Sequence, residues 1–305
     1  MVLRHTFLYL SEQSWLRHWM ESSALSQKLT SRFVAGQTLK EGVRVLEALA
    51  GERIQGTLDF LGENVSSLAD AARSKASYLA AQDAIEQAHL PATVSIKLTQ
   101  FGLDLSEAAC LSNVTALVNR ARDMNSRVEI DMESTAYTDR TLKIVTDFQE
   151  SHPGCVRAVI QAYLFRSESD IRMLSARKIP VRLCKGAYRE PPNVAFPRKA
   201  DVDLNYVKLM KLLLSEGAYP ALASHDENIV RQAVKYVQDE RIAPDRFEFQ
   251  MLYGIRRDLQ RELVSKSFTL RLYVPYGDAW YPYFMRRLAE RPANLLFLAK
   301  NLVRS

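Results

Sequence analysis

Cysteine is scarce: the chain of 305 residues holds three, Cys110, Cys155 and Cys184. They are too few and too scattered for a disulfide framework, and none belongs to a C-x-x-C pair that would suit structural zinc. They read as reduced thiols of a cytosolic protein. No stretch of apolar residues is long enough to span a bilayer. The opening MVLRHTFLYLSEQSWLRHWM has an apolar run broken by Arg4 and His5 and lacks a small-residue cleavage site, which argues against a signal peptide. The common nucleotide signatures are missing too. Neither G-x-G-x-x-G behind a strand nor G-x-x-x-x-G-K-[ST] occurs, so no Rossmann or P-loop site is encoded. Without H-E-x-x-H, and with His225 and Asp226 standing alone as metal candidates, no metal is expected. A G-x-S-x-G elbow is absent as well.

What is present is an ordinary globular composition, 47% apolar and 25% charged. Forty-one basic residues against 35 acidic ones leave +6. The surplus is dispersed among the acids, so nucleic acid is not an expected partner. In the first 50 residues Phe33, Val34, Leu39, Val43, Leu46 and Leu49 recur at helical spacing, up to Gly51. From residue 53 short β-prone runs alternate with helix-length segments. The runs occupy 53–60, 93–100, 127–133, 156–164, 180–186, 220–226, 246–254 and 269–277. The helical segments occupy 66–89, 106–124, 138–150, 168–177, 201–216, 226–239, 257–266 and 279–300, with starts marked at Ser66 and Ser106. Eight such units predict a (β/α)8 barrel, an open doubly wound sheet being the alternative with the same alternation. No linker divides the chain, so a helical leader over 1–52 is expected on a barrel over 53–305.

In such barrels the chemistry sits where strands end. That rule selects Lys97, Thr99, Asp131, Glu133, Gln161, Arg182, Lys185, Ser224, His225, Asp226, Gln250 and Tyr273. Polar strand ends can simply meet solvent, but polar closure of nearly every strand points to a site. Two segments concentrate the signal. In Arg182-Leu-Cys-Lys185-Gly186-Ala187-Tyr188-Arg189-Glu190, two cations precede a glycine that lets a ligand approach the backbone. Lys185 could be the Schiff-base lysine of a class I aldolase-type lyase. Alternatively, Arg182 and Lys185 are fixed charges facing an anionic cofactor. In the last helix Tyr283, Arg286, Arg287 and Glu290 share one face. Adjacent arginines suit a carboxylate or phosphate, the bland alternative being a solvated face with an Arg286–Glu290 pair. A non-catalytic anion-binding barrel is a third reading.

Seven segments then carry a likeness. SIKLTQFGLD (95–104), IDME (130–133), QAYL (161–164), RLCKGAYRE (182–190), ASHD (223–226), FEFQMLYG (247–254) and YFMRRLAERPAN (283–294) resemble, in order, the proline dehydrogenase family. The likeness runs from about residue 53 to the carboxyl end. The chain looks like the stand-alone bacterial form, with Arg189 after KGAY and no aldehyde dehydrogenase portion following. The resemblance implies a distorted (β/α)8 TIM-like barrel with the final helix, 279–300, over its mouth. It implies non-covalent FAD, oxidation of L-proline to Δ1-pyrroline-5-carboxylate, and electron delivery to a membrane quinone by a cytoplasmic protein peripheral to the inner face of the membrane.

It also implies roles. Arg182 would lie by flavin N5, with Lys185, Gly186, Ala187 and Tyr188 holding the cofactor beyond it. Asp131, Gln161, Ser224, His225 and Gln250 match positions near the flavin or its ribityl-diphosphate chain. Lys97, Arg286 and Arg287 would grip the proline carboxylate, while Tyr273, Tyr283 and Leu252 pack around its ring. Glu290 would steady the arginines, and Glu63 would pair with Arg286 in the empty site. Two positions depart from the family pattern: Cys184 stands where an aliphatic residue is expected, and Ser224 where threonine is frequent. No general base stands out.

Overall fold

The β-prone runs close on themselves. The computed structural model describes residues 30–62 and 65–290, the last five as helical backbone. In it eight parallel strands form a closed barrel in chain order. They are β1 (Gln55–Phe60), β2 (Ala92–Ile96), β3 (Val128–Ile130), β4 (Val156–Gln161), β5 (Val181–Cys184), β6 (Ala221–Ala223), β7 (Glu248–Leu252) and β8 (Leu270–Tyr276). The helices are α1 (Leu39–Gly51), α2 (Leu68–Gln87), α3 (Glu107–Asp123), α4 (Thr138–Ser151), α5 (Ser167–Ala176), α6 (Lys199–Glu216), α7 (Glu227–Asp239), α8 (Arg257–Ser265) and α9 (Trp280–Glu290). This is the expected TIM-like barrel rather than the open sheet. The leader residues 1–29 and the helix end 291–300 lie outside the described residues.

Strands are shorter than the runs that encode them, because the polar residues closing each run leave the ladder. After Ile96, Lys97 caps a 3₁₀ turn over Leu98–Phe101 that ends on Gly102 at φ 92°. Helices α1, α2, α3 and α7 start at side-chain caps. Thr38 and Glu41 form a capping box on α1, and Ser106 caps α3. On α2 the cap is Ser67, one residue after the expected Ser66, whose N–H and hydroxyl instead donate to the Asp70 carboxylate at 3.0 and 3.1 Å.

Two helices position the site. Helix α1 lies on the outer wall over β1 and β8, pressed so close that a Cβ on Gly56 would come within 2.0 Å of Leu46. Helix α9 lies elsewhere. Its Trp280, Tyr281, Tyr283, Phe284 and Met285 pack with Phe33, Val34 and Ile255, against Leu61 after β1 and Leu252 at the end of β7. It therefore sits over the carboxyl ends of the strands. No helix among the described residues is long and apolar enough to cross a membrane.

Candidate active site

Side chains alternate along each strand, and here the apolar set faces the helices while the polar set faces inward. Leu58, Val94, Ile130 and Leu183 belong to the main apolar core. Their neighbours Asp59, Thr93, Glu129 and Arg182 are buried among one another inside the barrel. Hydrogen bonds between strands that are not neighbours, such as Arg157 on β4 to Glu248 on β7, place these groups across the lumen.

The lower layer joins Glu129, Arg157, Glu248 and Arg271. Arg157 Nη1 lies 3.1 Å from Glu129 and 2.6 Å from Glu248, and Arg271 Nε lies 3.0 Å from Glu248. Burial pushes both glutamates up, but the surrounding guanidiniums override it and hold both below the usual carboxylate range. Gln250 links the layers. Its amide donates to Glu248 at 2.7 Å, and its oxygen accepts from Arg182 Nη1 at 3.2 Å.

The upper layer opens to the mouth. Arg182, 4% exposed, meets Glu129 at 2.9 Å, donates to Ser95 Oγ at 2.9 Å, and pairs with Asp131. Its guanidinium also lies over the Tyr273 ring, 5.3 Å from the centroid. Asp131 accepts from Ser95 at 2.9 Å and from the Tyr273 hydroxyl at 2.8 Å. Lys97 Nζ lies 3.2 Å from Asp59 and 3.3 Å from Asp131, and donates to Tyr273 at 3.4 Å. Burial raises the Asp131 carboxyl, yet Arg182 and Lys97 outweigh it and hold it low. Burial lowers the Lys97 ammonium, yet Asp59 and Asp131 outweigh it and hold it high. Four carboxylates thus balance four cations, an arrangement that survives burial only because every member is paired.

Around the rim the expected cofactor segment follows β5. Lys185 is clasped by Asp203 and, at 2.8 Å, by Asp226. Gly186 takes φ 109°, and a Cβ there would strike the Tyr163 ring at 2.3 Å, so no other residue fits. Ala187 and Tyr188 are exposed beyond it. Ser224 Oγ accepts the Asp226 N–H at 3.1 Å. His225 Nε2 accepts the Leu252 N–H at 2.7 Å, which places the proton of its neutral ring on Nδ1. Gln161 turns toward the loop after β3, donating to the Glu133 carbonyl at 2.9 Å. The Glu133 carboxylate is itself occupied by Thr99, through its N–H at 3.1 Å and its hydroxyl at 2.6 Å.

The structure therefore brings Lys97, Asp131, Arg182, Gln250 and Tyr273 into one network. Lys185, Gly186, Ser224 and His225 follow β5 and β6 at the rim, and Leu252 and Tyr283 pack together between β7 and α9. Glu63 and the side chains of Arg286, Arg287 and Glu290 lie outside the described residues. Strand-end reasoning missed Asp59, Ser95, Glu129, Arg157, Glu248 and Arg271. Their signal was available, as charged and hydroxyl residues at every second position of otherwise apolar strands.

The rim carries a pH dependence. Burial raises the Asp226 carboxyl, but Lys185 and Lys199 bring it down to about 2. A depressed carboxylate contributes stability above its unfolded value, about 3.9, and loses it as the pH falls through the folded value. The parent should therefore lose stability between about pH 4 and 2 more steeply than Asp226→Asn, as read by chemical denaturation across that range. Parallel curves would show that the pairing contributes nothing.

Comparison with known proteins gives the family and the fold. The model of the proline dehydrogenase family matches residues 43–300. Proline dehydrogenase 1 of Bacillus subtilis (strain 168) is 40% identical over 304 residues, 99% of this chain and 100% of that one. Proline dehydrogenase of Deinococcus radiodurans is 38% identical over 283 residues, 90% of each. Among solved structures, proline utilization A (PutA) from Bdellovibrio bacteriovorus, inactivated by N-propargylglycine, superposes with a TM-score of 0.80 at 25% identity. That match covers 86% of this chain and 32% of the larger protein, so the chain spans about a third of that relative.

Proposed function

This chain belongs to the proline dehydrogenase family, and we propose that it oxidises L-proline to Δ1-pyrroline-5-carboxylate with non-covalent FAD, passing the electrons to a membrane quinone. The observation that carries the reading is Arg182, locked between Glu129 and Asp131 at the head of the charged lumen, directly under the mouth. FAD, when bound, would supply the two-electron acceptor for the hydride that proline gives up, with Arg182 held beside it.

The residues present fit that group. Arg182 offers a fixed cation for the electron-accepting ring. Lys185, the glycine-only turn at Gly186, and the polar side chains of Ser224 and His225 follow β5 and β6, where a long anionic cofactor can lie along the rim. The work left to the protein is orientation. Lys97 presents its ammonium beside Tyr273, where a substrate carboxylate can replace part of its contact with Asp59 and Asp131. Leu252, Tyr273 and Tyr283 supply the apolar walls for a five-membered ring. By the family resemblance, Arg286, Arg287 and Glu290 would complete the carboxylate grip from α9, and Glu63 would pair with Arg286 in the empty site. Asp131, held low by two cations, is a poor proton acceptor and acts as their anchor.

The lyase reading of Lys185 falls away. A nucleophilic lysine amine needs apolar or cationic surroundings, whereas Lys185 sits between two carboxylates. The relatives are dehydrogenases.

As the electron acceptor is a lipid-soluble quinone, the protein is a cytoplasmic visitor to the inner face of the membrane. An anionic leaflet would favour it by roughly 1 kcal/mol for each Lys or Arg brought to the surface. Purified protein should be yellow and release FAD on heating or acid. Proline should bleach the colour and a soluble quinone analogue restore it. A colourless protein that binds no added FAD overturns the reading, and reoxidation by NAD but not by quinones overturns the acceptor.

A further inference from the structure

The mouth explains Arg182, Asp131 and Lys97, but not the charges beneath them. Glu129 is fully buried on β3. One of its oxygens lies 2.9 Å from Arg182 Nη1 and the other 3.1 Å from Arg157 Nη1. Gln250 Nε2 donates to it at 3.3 Å, and the Thr93 hydroxyl at 3.1 Å. Arg157 is likewise fully buried and reaches on to Glu248. A buried ion pair is a poor way to gain stability, since well-packed apolar residues of similar volume often do as well or better. Its distinctive property is its field, which water does not screen inside the barrel.

We propose that Glu129 is a positioning residue for Arg182, and that the Glu129–Arg157 pair sets the electrostatic potential in which the redox group at the mouth gains electrons. The proposal rests on the reading that a flavin occupies the mouth. Glu129 acts in two ways. It fixes the guanidinium from below while Asp131 and Ser95 fix it from above, so Arg182 points one way. It also cancels part of the Arg182 charge, and Arg157 behind it restores the balance. Because the lumen is neutral, removing one partner leaves a net charge of known sign. Electron uptake brings negative charge, so a lumen left positive favours reduction and one left negative opposes it.

Three variants of the holoenzyme test this, each read by the midpoint potential of its bound FAD against a reference dye. Glu129→Gln keeps the shape and leaves +1, so the potential should rise. Arg157→Met keeps the stem and leaves −1, so it should fall. The double variant is neutral and should return to the parent value. Melting temperatures, followed separately, should drop in both single variants, because each strands a buried charge. A purely structural pair would lower melting temperatures without opposite shifts in potential. Single variants that shift in the same direction, or melt lower with the potential unchanged, overturn the proposal. If Glu129→Gln does not fold, the fall in Arg157→Met and its reversal in the double variant still decide. A parent without FAD overturns the flavin reading itself, which is distinct from a yellow parent whose variants do not shift.

Discussion

Arg182→Met is expected to destabilise the protein by about 3–5 kcal/mol, the usual consequence of removing one partner from a buried ion pair. The side chain is 4% exposed and stands between two carboxylates, Glu129 and Asp131. Methionine fills most of the volume but leaves the two carboxylates, neighbours on one face of β3, without the cation they share. At roughly 2–4 °C for each kcal/mol in a domain of this size, the melting temperature should fall by on the order of 10 °C. On the proposed reading FAD content should fall with it, because Arg182 would supply the fixed cation for the flavin ring. Arg182→Lys should do better, yet an ammonium cannot hold Glu129, Asp131, Ser95 and Gln250 in one plane. Differential scanning fluorimetry and the flavin absorbance of the purified variants measure both effects. A methionine variant that melts with the parent and stays yellow would show that Arg182 is neither keystone nor cofactor contact.

The barrel was legible because period and punctuation agree along the chain: β-prone runs alternate with helix-length segments eight times, and the start expected at Ser106 is the observed cap. Lys97, Asp131 and Arg182 were legible for the same reason, as polar closures of apolar runs. The pairing of the lower charges was not. Glu129, alternating with Asp131, marks a polar face on β3, but not that Arg157 and Arg182, on two other strands, meet it. Pairing across a lumen couples residues 28 and 53 positions away, as Glu129 is to Arg157 and Arg182, and no local pattern records it. The place of α1 was hidden similarly. Its apolar spacing shows that one face is buried, while only the close approach of Leu46 to Gly56 shows that this face lies on β1. Helix α9, which follows β8, leaves this flank to α1, because its aromatic side chains pack over the mouth instead.

That placement of α9 makes its arginines the second test. Trp280, Tyr283 and Phe284 anchor the helix beside Leu252 and Leu61, and its backbone stays helical to Glu290. Arg286 and Arg287 lie one residue apart, so they fan by about 100° around the axis and can approach one carboxylate from two directions. Losing one member of a desolvated, hydrogen-bonded ion pair costs about 2–5 kcal/mol. At 1.4 kcal/mol for each factor of ten, Arg286→Ala or Arg287→Ala should lower kcat/KM for proline by roughly thirtyfold or more. Lysine in either place keeps the charge but loses the planar fork, so it should recover only part of the loss. FAD content should stay near that of the parent, because on the proposed reading this pair would grip substrate; that separates it from Arg182, whose loss should remove the colour as well. A carboxylate inhibitor of proline's size should lose affinity in parallel with kcat/KM. Should both alanine variants bind that inhibitor as tightly as the parent, the arginine face of α9 is a solvated surface, and the carboxylate grip must come from Lys97 and its neighbours alone.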